Sequence, residues 1–186
     1  MPSPADKKIA TRRLFFGLWP DDVTRRAIVR ATRTAVRRAG GRPVPPVNYH
    51  ITLAFLGNQP SELFDAIIAA GQRVAAPSMT LLLDTLHCWP KPRVFWFGPR
   101  KFPRDLPRLS ADLWTQMEYL GLTRDRRALQ PHVTLARKVQ ELPEMAAPKP
   151  VSWPVHEFAL VESISGHPGP EYTVVARFSP GSSPDP

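Results

Sequence analysis

The sequence is poor in cysteine and in long apolar runs. Cys88 is the only cysteine among the 186 residues, so no disulfide can form within the chain, and a cytoplasmic location is expected. No apolar stretch approaches the roughly 18 residues that a membrane-spanning helix needs, and the first eight residues are too polar for a signal peptide. We therefore expect a protein without membrane contact.

Several common catalytic signatures are also missing. The sequence contains no P-loop, no HExxH, no pair of CxxC motifs, no GxSxG and no aspartate cluster that could hold two metal ions. We expect neither a metal nor another cofactor.

Positive charge, in contrast, is in excess. The net charge is +9, and 19 of the 25 basic residues are arginine. A basic surface attracts phosphate polymers such as RNA, but an arginine-rich genome explains the same composition, so charge alone does not establish a nucleic-acid partner. Four arginines form one stripe of a predicted helix, which is either a solvated face or an RNA track: Arg26, Arg30, Arg33 and Arg37.

Hydrophobic periodicity and turn residues predict seven strands and three helices in the order β-α-β-α-ββ-α-β-ββ. The predicted strands are 13–18, 49–56, 79–86, 93–97, 132–136, 155–163 and 172–178, and the predicted helices are 22–39, 61–75 and 107–119. Strands 79–86 and 93–97 are expected to form a hairpin, and 142–154 a proline-rich loop. We predict a mixed α+β protein with one domain at 12–178, a flexible arm at 1–11 and a disordered tail at 179–186.

One tetrapeptide occurs twice. His50-Ile51-Thr52-Leu53 reappears 82 residues later as His132-Val133-Thr134-Leu135. Because side chains alternate between the two faces of a strand, each histidine shares a face with the threonine two residues later, while the aliphatic residues share the other. The aliphatic faces belong in the core, so the two His/Thr faces are expected to line a cleft.

Two imidazoles and two hydroxyls around one point favour chemistry at phosphorus. Imidazole is the side chain best suited to proton transfer near neutral pH, so one ring can act as a general acid while the other acts as a general base. The threonine hydroxyls can donate hydrogen bonds to phosphate oxygens. This set of groups supports in-line displacement without a metal.

The paired tetrads resemble the signature of the 2H phosphoesterases. The segments around them, 13–16, 48–57, 92–96, 131–137 and 161–163 with Tyr172, are similar to the RNA 2′,3′-cyclic phosphodiesterase branch, formerly described as 2′-5′ RNA ligases. The resemblance extends from about Arg13 to Phe178. It implies a bilobal fold of two antiparallel-rich sheets with outer helices around a central cleft, related by a pseudo-two-fold duplication.

The resemblance also implies an activity, which is hydrolysis of RNA 2′,3′-cyclic phosphate ends to 2′-phosphate ends, with reversal to 2′-5′ ligation chemically allowed. By analogy His50 is the proton donor to the leaving 3′ oxygen, and His132 is the proton acceptor that activates water. The sequence symmetry by itself does not assign these two roles. Thr52 and Thr134 are expected to orient the phosphate and stabilise the developing charge.

Two further residues are candidates for substrate binding. Arg137 follows the second tetrad, but a regular strand would direct it to the core; a bulge or strand end would release it toward the phosphate. Phe16 lies where an aromatic ring could stack on a base, and core packing explains it equally well.

Two alternatives to this reading are open. The chain could be a non-catalytic module that binds RNA ends or nucleotides, or a 2H phosphoesterase for a small cyclic nucleotide. The expected partners are therefore RNA with 2′,3′-cyclic phosphate ends, tRNA fragments among them, or 2′,3′-cyclic nucleotides. A monomer is expected.

Overall fold

The computed structural model describes residues 10–139, 147–164, 166 and 169–180, which form ten strands and three α-helices. The strands are β1 (Thr11–Leu18), β2 (Arg42–Pro43), β3 (Ile51–Pro60), β4 (Met79–Leu83), β5 (Thr85–Trp89), β6 (Val94–Gly98), β7 (Val133–Arg137), β8 (Val151–Val155), β9 (Phe158–Ile164) and β10 (Glu171–Phe178). The helices are α1 (Asp22–Ala39), α2 (Phe64–Gln72) and α3 (Asp105–Tyr119). None of these helices is long and apolar enough to cross a membrane.

The strands form two four-stranded sheets and one small one, all antiparallel. The first sheet has the order β10-β9-β1-β3, the second β2-β7-β6-β5, and the third pairs β4 with β8. The first sheet therefore combines strands from both ends of the described chain. An ion pair across it joins Arg12 on β1 to Glu162 on β9, with Nη2 and Oε2 2.6 Å apart. Two antiparallel sheets with helices confirm the predicted α+β architecture.

The helices connect the two large sheets into one unit. Helix α1 links β1 to β3 of the first sheet but packs against β6 and β7 of the second, and against β8. Helix α3 links β6 to β7 of the second sheet but packs against β3 of the first, beside α2. One hydrophobic cluster includes buried residues of both large sheets.

Helix α1 begins and ends as the sequence predicts. The Asp21 side chain accepts a hydrogen bond from the Thr24 backbone N–H at 2.7 Å, and Gly40 ends the helix with φ at +64°. The buried face of the helix is formed by Thr24, Ile28, Thr32, Ala35 and Ala39, so the neighbouring Val23, about 100° round the helix from Thr24, is 65% exposed. The four arginines of the predicted stripe are all exposed.

The other corrections concern element boundaries, and the predicted helix 61–75 is shorter in the structure, where α2 covers Phe64–Gln72. Strand β1 begins at Thr11, which pairs with Pro60, and the Ala10 carbonyl accepts a hydrogen bond from the Ser61 backbone N–H, so the predicted arm is too long by these two residues. The predicted strand 79–86 divides at Asp84: β4 pairs with β8, and only β5 forms the predicted hairpin with β6. Strand β8 occupies part of the predicted loop 142–154, where it pairs with β4. Its Pro154 is tolerated because β8 is an edge strand. The rest of the predicted arm, 1–9, and the tail at 181–186 lie outside the described residues.

Candidate active site

The two tetrads lie in corresponding strand-helix-strand units. The first unit is β1-α1-β3, with the two-residue strand β2 between α1 and β3, and the second is β6-α3-β7; in each unit the histidine directly precedes the last strand. His50 precedes β3 in one sheet, and His132 precedes β7 in the other. This correspondence supports the predicted duplication.

Each unit carries a one-residue bulge at the leucine of its tetrad. Leu53 has no partner on β1, and Leu135 has none on β6. In both places the strand that carries the tetrad has one residue more than the strand it pairs with. Both leucine carbonyls find partners elsewhere. The Leu53 carbonyl accepts a hydrogen bond from the buried Ser110 hydroxyl at 2.7 Å, and the Leu135 carbonyl accepts one from the Val44 backbone N–H at 2.8 Å.

The bulges change which residues face the cleft. At each bulge the leucine and the alanine after it are both buried, and the next residue, Phe55 or Arg137, is exposed and lines the same cavity as the tetrad side chains. A regular strand would direct Arg137 to the core, but the bulge at Leu135 brings it to the cleft, as one of the two expected routes. Phe55 occupies the corresponding place on β3.

The two imidazoles are held in the same way. In each ring Nδ1 lies 2.7 Å from the backbone carbonyl two residues earlier, Asn48 for His50 and Gln130 for His132. A carbonyl only accepts hydrogen bonds, so Nδ1 must carry a proton and donate it. When either ring is neutral, its Nε2 is available as a base. When the ring is charged, its Nε2–H is available as an acid.

Aromatic walls surround both histidines. Trp19 stacks on the His50 ring with centroids 5.3 Å apart and planes 8° from parallel, and the Phe15 and Tyr172 rings lie 4.9 and 5.1 Å away. Trp89 meets the His132 ring edge-on at 4.5 Å. These rings fix the orientation of the imidazoles and exclude water from their faces.

This environment lowers the pKa of both imidazoles. Burial lowers the pKa of His50 to about 4, with smaller contributions in the same direction from the charges of His132 and Arg137 and an opposing one from the Asn48 carbonyl. Burial also lowers the pKa of His132, as does Arg137, against the Gln130 carbonyl. Both rings are therefore mostly neutral at pH 7.

Two glycines let the strands approach closely beside the histidines. A Cβ on Gly98 would lie 2.6 Å from the Pro131 carbonyl oxygen, directly before His132. A Cβ on Gly17 would lie 3.0 Å from the carbonyl oxygen of Ile51, directly after His50. Glycine at these positions allows the backbone next to each catalytic candidate to take its observed path.

The cleft between these groups has a volume of about 550 Å³ and a positive lining. Both tetrads contribute their histidine and threonine, so the four predicted groups share one cavity. Arg13, Arg42 and Arg137 line it as well, and among the described residues none of the three forms an ion pair. No carboxylate occurs among its described lining residues. Such a cavity favours an anion.

Of the two roles considered for Phe16, the structure contradicts base stacking and supports core packing. Its side chain is fully buried and packs against Phe158 and Phe178. The neighbouring Phe15 lies on the cleft side of the strand, against His50, so alternation sends Phe16 into the core. The Phe55 ring, in contrast, lines the cleft and is 40% exposed.

Sequence reasoning missed Phe55, and one signal could have found it. Phe55 stands five residues after His50, as Arg137 stands five after His132. A bulge in the first tetrad like the one considered for Arg137 would have predicted that Phe55 faces the cleft. Arg13 and Arg42 were also missed; the Arg13 guanidinium lies 5.1 Å from the centre of the Phe55 ring.

Metal-binding side chains are not grouped in the described part of the chain. No set of three or more His, Cys, Asp or Glu residues there is close enough to hold a metal ion. Of the remaining described histidines, His87 stacks on Trp96 and His156 is exposed.

Comparison with known proteins identifies the family. A family profile described as "LigT like Phosphoesterase" matches residues 18–96, which include the first tetrad. The RNA 2′,3′-cyclic phosphodiesterase of Escherichia coli is 34% identical over 171 residues, covering 90% of this chain and 96% of the relative. That of Thermus thermophilus is 36% identical over 183 residues, covering 90% and 89%.

The chain belongs to the RNA 2′,3′-cyclic phosphodiesterase family of LigT-like phosphoesterases. Solved structures agree with this assignment. Escherichia coli LigT complexed with 3′-AMP superposes with a TM-score of 0.81 at 32% identity, covering 91% of this chain and 98% of that one. The resemblance drawn from the two tetrads is thereby confirmed at the level of family and fold.

Proposed function

We propose that the chain hydrolyses RNA 2′,3′-cyclic phosphate ends to 2′-phosphate ends, without a metal, by acid–base catalysis from His50 and His132. The observation that supports this most directly is that both imidazoles have Nδ1 bound to a backbone carbonyl and line one cleft. This arrangement leaves two Nε2 atoms, a proton donor and a proton acceptor, for a single substrate.

The reaction needs one proton removed and one supplied. His132 takes a proton from water, the water oxygen forms a bond to phosphorus, and the bond from phosphorus to the 3′ oxygen breaks. His50 donates a proton to that 3′ oxygen, which leaves as a hydroxyl. The product keeps its phosphate on the 2′ oxygen, and the enzyme returns to its starting state when the two imidazoles re-exchange protons with solvent.

The other cleft residues act on the phosphate and the base. Thr52 and Thr134 donate hydrogen bonds to the non-bridging phosphate oxygens, and Arg137 pairs with their negative charge. Phe55 offers an exposed ring to the terminal base. We place the substrate's cyclic phosphate between the two tetrads because these four side chains line the same cavity.

The low pKa of His50 sets a condition on its role. A ring with a pKa of about 4 is neutral at pH 7 and cannot donate a proton until something favours its charged form. The cyclic phosphodiester carries one negative charge, and that charge next to the ring raises its pKa. We infer that substrate binding itself charges His50.

The first test is product analysis. The purified protein is incubated with 2′,3′-cyclic AMP, and separately with an RNA oligonucleotide ending in a cyclic phosphate, with EDTA present throughout. Chromatography against 2′- and 3′-phosphate standards is expected to show only the 2′-phosphate. A 3′-phosphate product, or loss of activity caused by EDTA, would contradict the mechanism; no turnover of either substrate would favour a binding module.

Histidine variants test the catalytic pair. His50→Ala and His132→Ala are each expected to lower kcat by about 10²–10⁴-fold, since each removes one proton-transfer partner. His156→Ala is the control, because its side chain is exposed and lies outside the cleft. Near-normal turnover in either cleft variant would refute the assignment.

A substrate with a good leaving group separates the acid from the base. A p-nitrophenyl phosphodiester releases a stable phenolate that does not require protonation. His50→Ala should retain far more of its activity on this ester than on the cyclic phosphate, whereas His132→Ala should lose activity on both. The opposite pattern would exchange the two roles.

A further inference from the structure

A second cavity adjoins the catalytic cleft on the His132 side. It has a volume of about 700 Å³ and shares Thr52, Phe55 and His132 with the cleft as a common wall. Its other walls are Trp89, residues of α3, and the loop 124–130 that leads to His132. A ligand that fills the cleft therefore continues into this second cavity past Phe55.

The loop gives this cavity a surplus of positive charge. Arg127 is bound to Asp125, with its Nε 3.0 Å from both carboxylate oxygens, so these two charges cancel. Arg124 and Arg126 also line the cavity, are exposed, and form no ion pair with any described residue. Two arginines are thus left for an external anion.

The cavity also has faces on which a base can lie. Phe55 is partly exposed on the common wall, and Trp89 lies partly exposed beside His132. Unpaired cations next to aromatic rings, in a groove continuous with a reaction site, are the features that bind single-stranded RNA. The terminal cyclic phosphate leaves the chain only its 5′ side along which to extend.

We propose that this second cavity binds the nucleotides on the 5′ side of the cyclic phosphate, with Arg124 and Arg126 contacting their backbone phosphates. The proposal rests on the proposed function, because it takes the cyclic phosphate to lie between the two tetrads. It makes an RNA strand, rather than a free cyclic nucleotide, the preferred substrate. It also assigns substrate contacts to a loop outside both tetrads.

The kinetic test compares two substrates in one double variant. Arg124→Gln/Arg126→Gln is assayed with 2′,3′-cyclic AMP and with a five-nucleotide RNA ending in a 2′,3′-cyclic phosphate. We expect kcat/KM on the RNA to fall about tenfold or more, as for the loss of charge-assisted contacts, with little change on the mononucleotide. Arg26→Gln/Arg30→Gln removes the same charge from the exposed face of α1 and is the control.

Salt dependence adds a measurement that a folding defect would not reproduce. Binding of a labelled five-nucleotide RNA that ends in a 2′-phosphate is measured against salt concentration. The slope of log K against log[salt] should become shallower by about 0.7 for each phosphate contact removed. This binding assay needs no turnover. If neither cyclic phosphate is hydrolysed, the proposed function is refuted, and the assay still tests whether the second cavity binds RNA.

Three results would overturn the proposal. The loop variant could keep its kcat/KM on the RNA and its salt slope, or lose activity equally on the mononucleotide, which would indicate a structural role. The α1 variant could instead show the larger loss on the RNA, which would place the RNA track on that helix.

Discussion

Phe55 and Arg137 occupy the same place in the two halves of the site, each five residues after a cleft histidine and just beyond a bulge. One half therefore presents an aromatic ring where the other presents a guanidinium. Since the histidines and threonines are duplicated, this pair introduces a chemical difference between the two halves. We infer that the ring selects the base and the cation holds the phosphate.

Removing the Phe55 ring is expected to weaken substrate binding more than the chemical step. Phe55→Ala should raise KM for 2′,3′-cyclic AMP, because base–aromatic stacking contributes about 1–3 kcal/mol, while kcat changes little. Steady-state kinetics measure both. Phe55→Tyr should keep a near-normal KM, and Phe102→Ala, which removes an exposed ring outside the cleft, should have no effect. An unchanged KM in Phe55→Ala would show that the ring does not contact substrate.

Arg137 is expected to act on the phosphate through its charge and its geometry. Arg137→Gln should lower kcat/KM by about 10–100-fold, in line with the loss of one or two charge-assisted hydrogen bonds. Arg137→Lys should have a kcat/KM between those of Arg137→Gln and the parent protein. Because the Arg137 charge lowers the pKa of His132, Arg137→Gln should also move the His132 titration upward by NMR.

Lys138 provides the control for this experiment. It is exposed, follows Arg137 directly and does not line the cleft, and its φ of +58° is one that asparagine tolerates. Lys138→Asn thus removes a charge nearby without strain. An equal loss of activity in both variants would mean that general charge, rather than a contact from Arg137, supports the reaction.

The Ser110 hydroxyl is expected to maintain the first bulge. Ser110→Ala leaves the Leu53 carbonyl buried without its partner and should lower the free energy of unfolding by about 1–3 kcal/mol. Because Leu53 lies between Thr52 and Phe55, KM should rise as well. Urea unfolding and kinetics measure the two effects.

Thr115 offers a matched control on the same helix. Its hydroxyl also donates to a backbone carbonyl, that of Ala111 at 3.0 Å, but at an exposed position. Thr115→Ala should be nearly neutral in both assays, since water replaces the lost partner. Equal effects of the two substitutions would show that the Ser110 hydroxyl does not stabilise the bulge at Leu53.

Acid should destabilise the protein through His50. Its pKa is about 4 in the folded chain against an ordinary 6.5, so the unfolded chain binds the proton first as the pH falls. The free energy of unfolding should therefore decrease between pH 6.5 and pH 4, by up to about 3 kcal/mol from this residue.

Urea titrations at several pH values can isolate that contribution. His50→Gln should lose less stability than the parent protein over the same pH window, while the exposed His156→Gln should follow the parent. Inorganic phosphate should reduce the pH dependence in the parent, because an anion in the cleft favours the charged imidazole. Identical pH profiles in His50→Gln and the parent would show that the ring titrates normally.

The parts of the site that follow from local pattern could be predicted from the sequence. Strand alternation brings His50 and Thr52 to one face, and the repeat pairs them with His132 and Thr134, all four of which line the cleft. The start of α1 follows from Asp21, an ordinary helix cap. Strand alternation and the helix cap depend on neighbouring residues only, and the pairing of the two tetrads follows from the repeat.

Features that depend on distant partners could not be predicted in the same way. The bulge at Leu53 is completed by Ser110 from α3, and the short strand β8 is defined by its pairing with β4. Phe15 and Phe16 have the same character in the sequence, and only the pairing of β1 decides which of them reaches the cleft. Periodicity contains no information about such contacts.

The mixed origin of the first sheet has a consequence for protein synthesis. Its strands β1 and β3 leave the ribosome early, but β9 and β10, which complete it, follow only at residues 158–178. A nascent chain that already contains both tetrads still lacks Tyr172, which lines the cleft beside His50. Contacts between such distant segments slow folding, so we expect the enzyme to become competent only late in translation or after release.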